Sequence, residues 1–237
     1  SLISQYSDSF ARVKSDIASV QFLGEAEYSR ETILFGSSII ALGMSLILSG
    51  ILLYFQDNIM SLILGDDSAK YQIIFLLIVA CLPFEFLLSC YKYLYLGVEN
   101  IKFYNKLNIV LNVSNLLLII IFLLIFNLGI VSVVFAKFLS ICVTLVMVLI
   151  HVHIVSKQPI YSANLTKGFI YKLIFASRGF YKSGLLINFF DMSFRTIGAI
   201  FLAKANLAFF TQAESFSRLI IKLSESVSTV LYPRISR

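Results

Sequence analysis

Four stretches of the chain, residues 32–55, 71–97, 107–126 and 130–155, are apolar for longer than the core of a water-soluble domain allows. A helix needs about 20 such residues to cross bilayer hydrocarbon. Two more stretches, 182–203 and 207–232, are long enough but carry charges. The sequence therefore predicts an all-α, polytopic transmembrane helix bundle of about six spans.

Composition points the same way. Of 237 residues, 59% are hydrophobic and 14% charged, whereas a soluble domain carries about a quarter charged residues. Lipid has to cover the excess apolar surface. The net charge of +6 does not mark a nucleic-acid binder, because the basic residues sit mostly between the apolar runs, as juxtamembrane loops require. Cys81, Cys90 and Cys142 lie inside apolar runs without metal-ligand spacing, so they read as small packing residues rather than disulfides or metal ligands. The chain opens on Ser1 within a helical pattern (Leu2, Tyr6, Phe10, Val13, Ile17, Val20) and shows no signal peptide, from which we expect an upstream portion of a longer transporter.

Loop charges set the orientation. Arg12, Lys14 and Arg30 precede the first span, Lys92, Lys102 and Lys106 surround the second connection, and Lys157, Lys167, Lys172, Arg178 and Lys182 fill the fourth. Arg234 and Arg237 follow the sixth span, whereas the opposite side has Asp57, Asp66 and Asp67 with only Lys70 and Lys204. Six crossings put every basic loop on one face, the cytoplasmic one by the positive-inside rule. Asn127-Leu128-Gly129 reads as a tight external hairpin. Tyr91, Tyr93, Tyr95 and Tyr104 flank a cytoplasmic boundary, where phenol rings suit the interface. Residues 157–181 form the longest polar connection and divide the chain into a first unit, 1–156, and a second, 182–237. Within the connection, Phe169, Ile170, Leu173, Ile174 and Phe175 predict a short amphipathic helix on the membrane surface.

Polar residues inside the spans mark candidate working groups. Ser37, Ala41, Ser45 and Ser49 place a small residue every four positions, a helix-contact stripe. Pro83 cannot donate to the carbonyl of Val79, which predicts a kink. Two residues later stands Glu85, a carboxylate costly in lipid unless paired, hydrated or protonated. It reads either as a cation or proton site beside a hinge or as a protonated acid bonding a neighbouring helix. Asn108, Asn112 and Asn115 favour interhelical hydrogen bonds over substrate contact. Lys137 reads as a snorkelling residue, and His151 and His153 as interfacial rather than metal-binding. Asp191 and Arg195 lie four apart on one helical face and can neutralise each other. In the last stretch Thr211, Glu214, Ser215, Arg218, Lys222, Glu225, Ser226 and Thr229 recur at three- and four-residue steps between apolar positions. Such a stripe has to face water or protein, since lipid would strand several charges at once. A helix lying in the interface is the competing structural reading. A cavity lined by Arg and Lys suits anionic, phosphate-bearing substrates.

The segment from Asn206 to Glu214 (NLAFFTQAE), continued through Leu231-Tyr232-Pro233-Arg234-Ile235-Ser236, resembles a helix of polysaccharide-export flippases that ends in a proline-arginine turn. Leu94 to Asn100 (LYLGVEN), followed by Asn112-Val-Ser-Asn115, is similar to the connection between that family's fourth and fifth helices, and Ser4-Gln5-Tyr6 with Arg12 resembles the end of its second. The family is the O-antigen (Wzx-type) flippases, within the multidrug/oligosaccharidyl-lipid/polysaccharide exporter superfamily. The resemblance implies a two-lobed bundle in the bacterial inner membrane, with residues 1–156 in the N-terminal lobe and 182–237 opening the C-terminal one. It implies translocation of an undecaprenyl-diphosphate-linked O-antigen or other polysaccharide repeat unit by ion-coupled alternating access. The cavity residues would be Asp191, Arg195, Glu214, Arg218 and Lys222, and Glu85 or Asp191 would carry a coupling proton. No enzyme activity, cofactor or metal is expected; a polysaccharide polymerase and ligase are the expected neighbours.

Two other functions compete. A multidrug exporter of the same superfamily would favour cationic, amphipathic compounds, which a net-basic cavity repels. A membrane-embedded polymerase or glycosyltransferase is the weakest reading, because no paired-Asp metal motif, Ser/His/Asp set or large polar loop appears.

Overall fold

The apolar runs become helices. The computed structural model describes residues 15–25, 28–64, 68–127, 129–155 and 167–201, with scattered positions beyond. In chain order the helices are α1 (Ser15–Glu25), α2 (Arg30–Tyr54), α3 (Gln56–Leu64), α4 (Ser68–Gly97), α5 (Ile101–Leu124), α6 (Val131–Val155) and α7 (Lys167–Phe201). No strand occurs among the described residues. Four segments are long and apolar enough to cross a membrane: Arg30–Tyr54, Tyr71–Gly97, Ile101–Leu124 and Val131–Val152. They match the first four expected spans to within six residues at every end.

Local chemistry sets the helix ends. Ser29 caps α2, its hydroxyl accepting from the Thr32 amide, and Asn100 caps α5 by accepting from the Phe103 amide. Between α4 and α5 the chain turns with Glu99 in the left-handed region (φ 57°). The Glu99 amide donates to the Leu96 carbonyl and the Asn100 amide to that of Tyr95. These paired bonds form a Schellman stop, which satisfies carbonyls that the helix end would otherwise leave open. Asn127 (φ 51°) and Gly129 (φ 57°) likewise adopt the left-handed region where α5 turns back into α6, as a tight connection requires.

α4 is the hub, packing against α1, α2, α3, α5 and α6. The small-residue stripe of α2 faces it: Ser37, Ala41, Ser45 and Ser49 are all buried, and Ala41 clusters with Leu82, Phe86 and Cys90 of α4. Pro83 lies inside α4. The Val79 carbonyl it cannot serve accepts instead from the Ser49 hydroxyl at 3.4 Å. A serine of the stripe thus supplies the donor that proline removed. At the other end of α4, a Cβ on Gly97 would meet Leu23 Cδ1 at 2.6 Å and the Val20 backbone at 3.3 Å, so glycine lets α1 lie close.

Contacts at one end of the bundle confirm the alternation of the spans. Tyr95 near the end of α4, Phe103 at the start of α5 and His151 near the end of α6 meet: the Tyr95 hydroxyl and His151 Nδ1 are 2.8 Å apart, and the Phe103 and His151 rings stack at 3.7 Å. At the start of α7, Phe169 packs on Phe22 and Tyr28, and Lys172 donates to the Tyr28 hydroxyl at 3.0 Å. Arg30, Lys92, Lys102, Lys106 and Lys172 therefore gather at this end, hereafter the basic end. Away from these seams the surface is apolar. α5 buries only Phe103 and Leu107 and exposes Ile109, Val113, Leu116, Leu117, Ile120 and Leu124, as lipid contact demands.

Three expectations need correction. Tyr91 and Tyr95 belong to the core rather than to an interfacial belt, buried beside Leu107, Ile141 and Val148. His151 is a packing residue of that same cluster, not merely a solvated interfacial group. The residues expected to form a separate surface helix instead open a continuous helix of 35 residues. Phe169 and Leu173 are buried against Ala18, Phe22 and Ile33, because helix contacts bury them before lipid headgroups can. α7 runs past position 182 into the expected fifth span; of the sixth, only scattered positions are described. The three cysteines are free, with Cys81 and Cys90 buried and Cys142 half-buried, as small packing residues should be.

Candidate functional site

The charge most expensive in lipid finds a partner across the bundle. Lys137 of α6 donates to Glu85 of α4 at 3.1 Å. The ring contact among Tyr95, Phe103 and His151 serves as a ruler, since it brings α4, α5 and α6 to one level. At 1.5 Å rise per residue, Glu85 lies about 15 Å inward from it, Asn112 about 14 Å, Asn115 about 18 Å and Lys137 about 21 Å. These four polar side chains, from three helices, share the middle of the spans. Lys137 thus turns its ammonium to an internal carboxylate instead of snorkelling outward. The pairing corrects the reading of both residues, because two opposite charges at one depth cost less together than either does alone.

Around the pair lies a cavity of about 350 Å³. α4 contributes Glu85, Leu88, Ser89, Lys92 and Tyr93, α5 contributes Tyr104, Leu111, Asn112 and Asn115, and α6 contributes Lys137, Ser140 and Ile141. Lys92, Tyr93 and Tyr104 sit within about a turn of the ring ruler, so the lining runs from the basic end to mid-span. Glu85 and Lys137 keep about a third of their side-chain surface open (32% and 39%), enough to be reached from the cavity. Asn115 Oδ1 is buried and accepts no hydrogen bond among the described residues. Leaving such an acceptor unmet costs about 1–3 kcal/mol. The interhelical bond expected of Asn115 at this atom is not made; Asn112 and Asn115 both line the cavity instead.

The sequence did contain a signal for the pair. Glu85 and Lys137 are the only oppositely charged residues deep within the first four spans, and charges in lipid seek each other. Nothing in the sequence marked Tyr93, Tyr104 or Ser89 as cavity residues, because helix rotation decides which side of a span faces inward. Asp191 and Arg195 fall within α7, but their side chains are outside the described set. Glu214, Arg218 and Lys222 lie outside the described residues altogether. Of the expected site residues, the structure therefore gives surroundings to Glu85 alone. Among the described residues no group of His, Cys, Asp and Glu side chains is arranged to hold a metal ion.

Comparison with known proteins places the architecture. The family model described as polysaccharide biosynthesis protein matches residues 11–237. Among solved structures, an outward-facing multidrug resistance transporter of the MATE family, in the MOP superfamily, superposes with a TM-score of 0.72 at 15% sequence identity. The match covers 99% of this chain and 54% of that one, so the chain spans about half the length of the transporter. At that identity the likeness establishes the fold. No curated protein matches significantly.

Proposed function

This chain belongs to the polysaccharide biosynthesis protein family, and from that premise we propose that it serves as part of a flippase for undecaprenyl-diphosphate-linked O-antigen or other polysaccharide repeat units. In this reading it works in the bacterial inner membrane by ion-coupled alternating access. The observation that carries the proposal is the cavity between α4, α5 and α6, in which a charge pair and two carboxamides stand at mid-span. A bundle serving only as an anchor has no use for such groups, whose burial in lipid is costly. A carrier of a polar headgroup needs them.

Roles divide by chemistry. Arg195, Arg218 and Lys222 offer fixed positive charge to a diphosphate, with Asp191 and Glu214, four residues before Arg195 and Arg218, as their counter-charges. Glu85 is held by Lys137, so proton coupling through Glu85 would proceed by opening that ion pair; Asp191 is the alternative carrier. The partners are the lipid-linked oligosaccharide and the surrounding lipid, with a polysaccharide polymerase and ligase acting downstream.

The deciding experiment replaces Arg218 by Ala in the whole protein. Surface polysaccharide should disappear while membrane insertion is unchanged; normal surface polysaccharide would refute the reading. The fold shared with a multidrug transporter supplies a second reading, export of amphipathic cations. Hypersensitivity to such drugs in a deletion strain, with normal surface polysaccharide, would favour it.

A further inference from the structure

We propose that the cavity between α4, α5 and α6 is a binding subsite for a neutral sugar ring of the substrate, distinct from the diphosphate-binding charges assigned to the later helices. The proposal rests on the flippase reading for its biological context, but its physical basis is the lining itself. Lys137 stands 3.1 Å from Glu85, so the carboxylate already holds a cation and offers a second one little. With this pair near-neutral, Lys92 toward the basic end is the one other charge of the lining, and the remaining polar groups are uncharged: among them the carboxamides of Asn112 and Asn115, the phenols of Tyr93 and Tyr104, and the Ser89 hydroxyl. Carboxamides and hydroxyls present donors and acceptors together, which matches a ring bearing hydroxyls that also do both.

Two further features narrow the ligand. Asn115 lines the cavity while its Oδ1 is a buried acceptor lacking a donor among the described residues, and a turn of the carboxamide would bring that oxygen to a sugar hydroxyl. Leu88, Leu111 and Ile141 form the apolar part of the wall, suited to the C–H face of a sugar and less to a hydrated ion. A volume of about 350 Å³ sits at the small end of ligand pockets, which run from about 300 to 1,000 Å³. That leaves room for roughly one or two rings, not for a whole repeat unit. A bulky drug cation would find neither the room nor an unpaired carboxylate.

The test uses fluorescence. The chain contains no tryptophan, so Leu111→Trp places a single reporter in the apolar wall of the cavity. The 237-residue chain is purified in a detergent without a sugar headgroup and titrated with maltose, N,N′-diacetylchitobiose, sodium chloride and ethidium. Saturable change is expected with at least one of the two disaccharides and with neither sodium nor ethidium. Asn115→Leu in that background should weaken saccharide binding at least tenfold, and Tyr93→Phe, which removes one hydroxyl and keeps the shape, should weaken it severalfold. Helix content by circular dichroism and a monodisperse elution profile confirm that each variant is folded. No saturation by either disaccharide, or saturation indifferent to both substitutions, overturns the proposal; so does saturation by sodium or by ethidium. The Arg218→Ala experiment reads separately. If surface polysaccharide vanishes there while the titrations fail, the sugar subsite falls and the flippase reading stands. If Arg218→Ala leaves surface polysaccharide normal, the flippase reading falls whatever the titrations give.

Discussion

On one side of α4, Phe75, Val79, Leu82, Phe86 and Cys90 close against α2 and α3; on another, Glu85, Ser89 and Lys92 hold a chamber open toward α5 and α6. The first side meets a stripe of Ser and Ala from α2, and its one broken backbone bond, at Val79, is mended by the Ser49 hydroxyl. The second meets long polar side chains that find one another at mid-span but do not fill the space between helices. In lipid no hydrophobic force drives helices together, so close approach depends on small side chains and on satisfied polar groups. One helix here uses both devices on different faces: small residues where the bundle is sealed, charged and amide groups where it stays open.

That contrast can be tested directly, and chemical accessibility should respond most. The native Cys90, buried on the closed side, should resist a membrane-impermeant maleimide, whereas a cysteine introduced by Asn112→Cys should label fully. Equal labelling of the native and introduced thiols would erase the distinction between the faces.

Stability should change next. Lys137→Ala strands Glu85, and since both side chains keep about a third of their surface open, the expected loss is about 2–3 kcal/mol, near the insertion cost of one mid-span charge. Pairing it with Glu85→Gln should recover most of the loss in thermal unfolding from detergent. If the double variant is as unstable as Lys137→Ala, the two residues are not energetically coupled. On the closed side, Ser45 is fully buried, and Ser45→Leu should cost about 1–3 kcal/mol through overpacking. A wild-type unfolding midpoint in that variant would mean that α2 and α4 are not closely apposed there.

The smallest effect is the most diagnostic. Ser49→Ala should cost about 0.6 kcal/mol, the size typical of interhelical hydrogen bonds in membranes. In a Pro83→Ala background the Val79 carbonyl regains its own helical donor, so the same substitution should cost close to nothing. An undiminished loss in that background would disprove the link between the proline and the serine.

Much of the bundle was legible in the residues before any coordinates. The four apolar runs became four helices of nearly the expected bounds, the stripe of Ser37, Ala41, Ser45 and Ser49 became the contact with α4, and Asn127 and Gly129 made the tight return. The candidate site was less legible. Glu85 stands out by its cost, but Lys137 reads as a snorkelling residue because it stands only about two turns into its own span. Tyr91, Tyr95 and His151 looked interfacial for a similar reason: their place near a span end says nothing about which way they point.

Hydropathy, loop charge and residue size are properties of the chain in one dimension, and the bilayer converts them almost directly into span positions, alternation and contact stripes, since only a helix can satisfy its backbone in hydrocarbon. Rotation of each helix about its axis, and the partner a polar group meets across the bundle, are set by packing. Only the folded arrangement could bring Lys137 to Glu85, aim Ser49 at the carbonyl opposite Pro83, and leave Asn115 beside a cavity rather than bonded to a neighbouring helix.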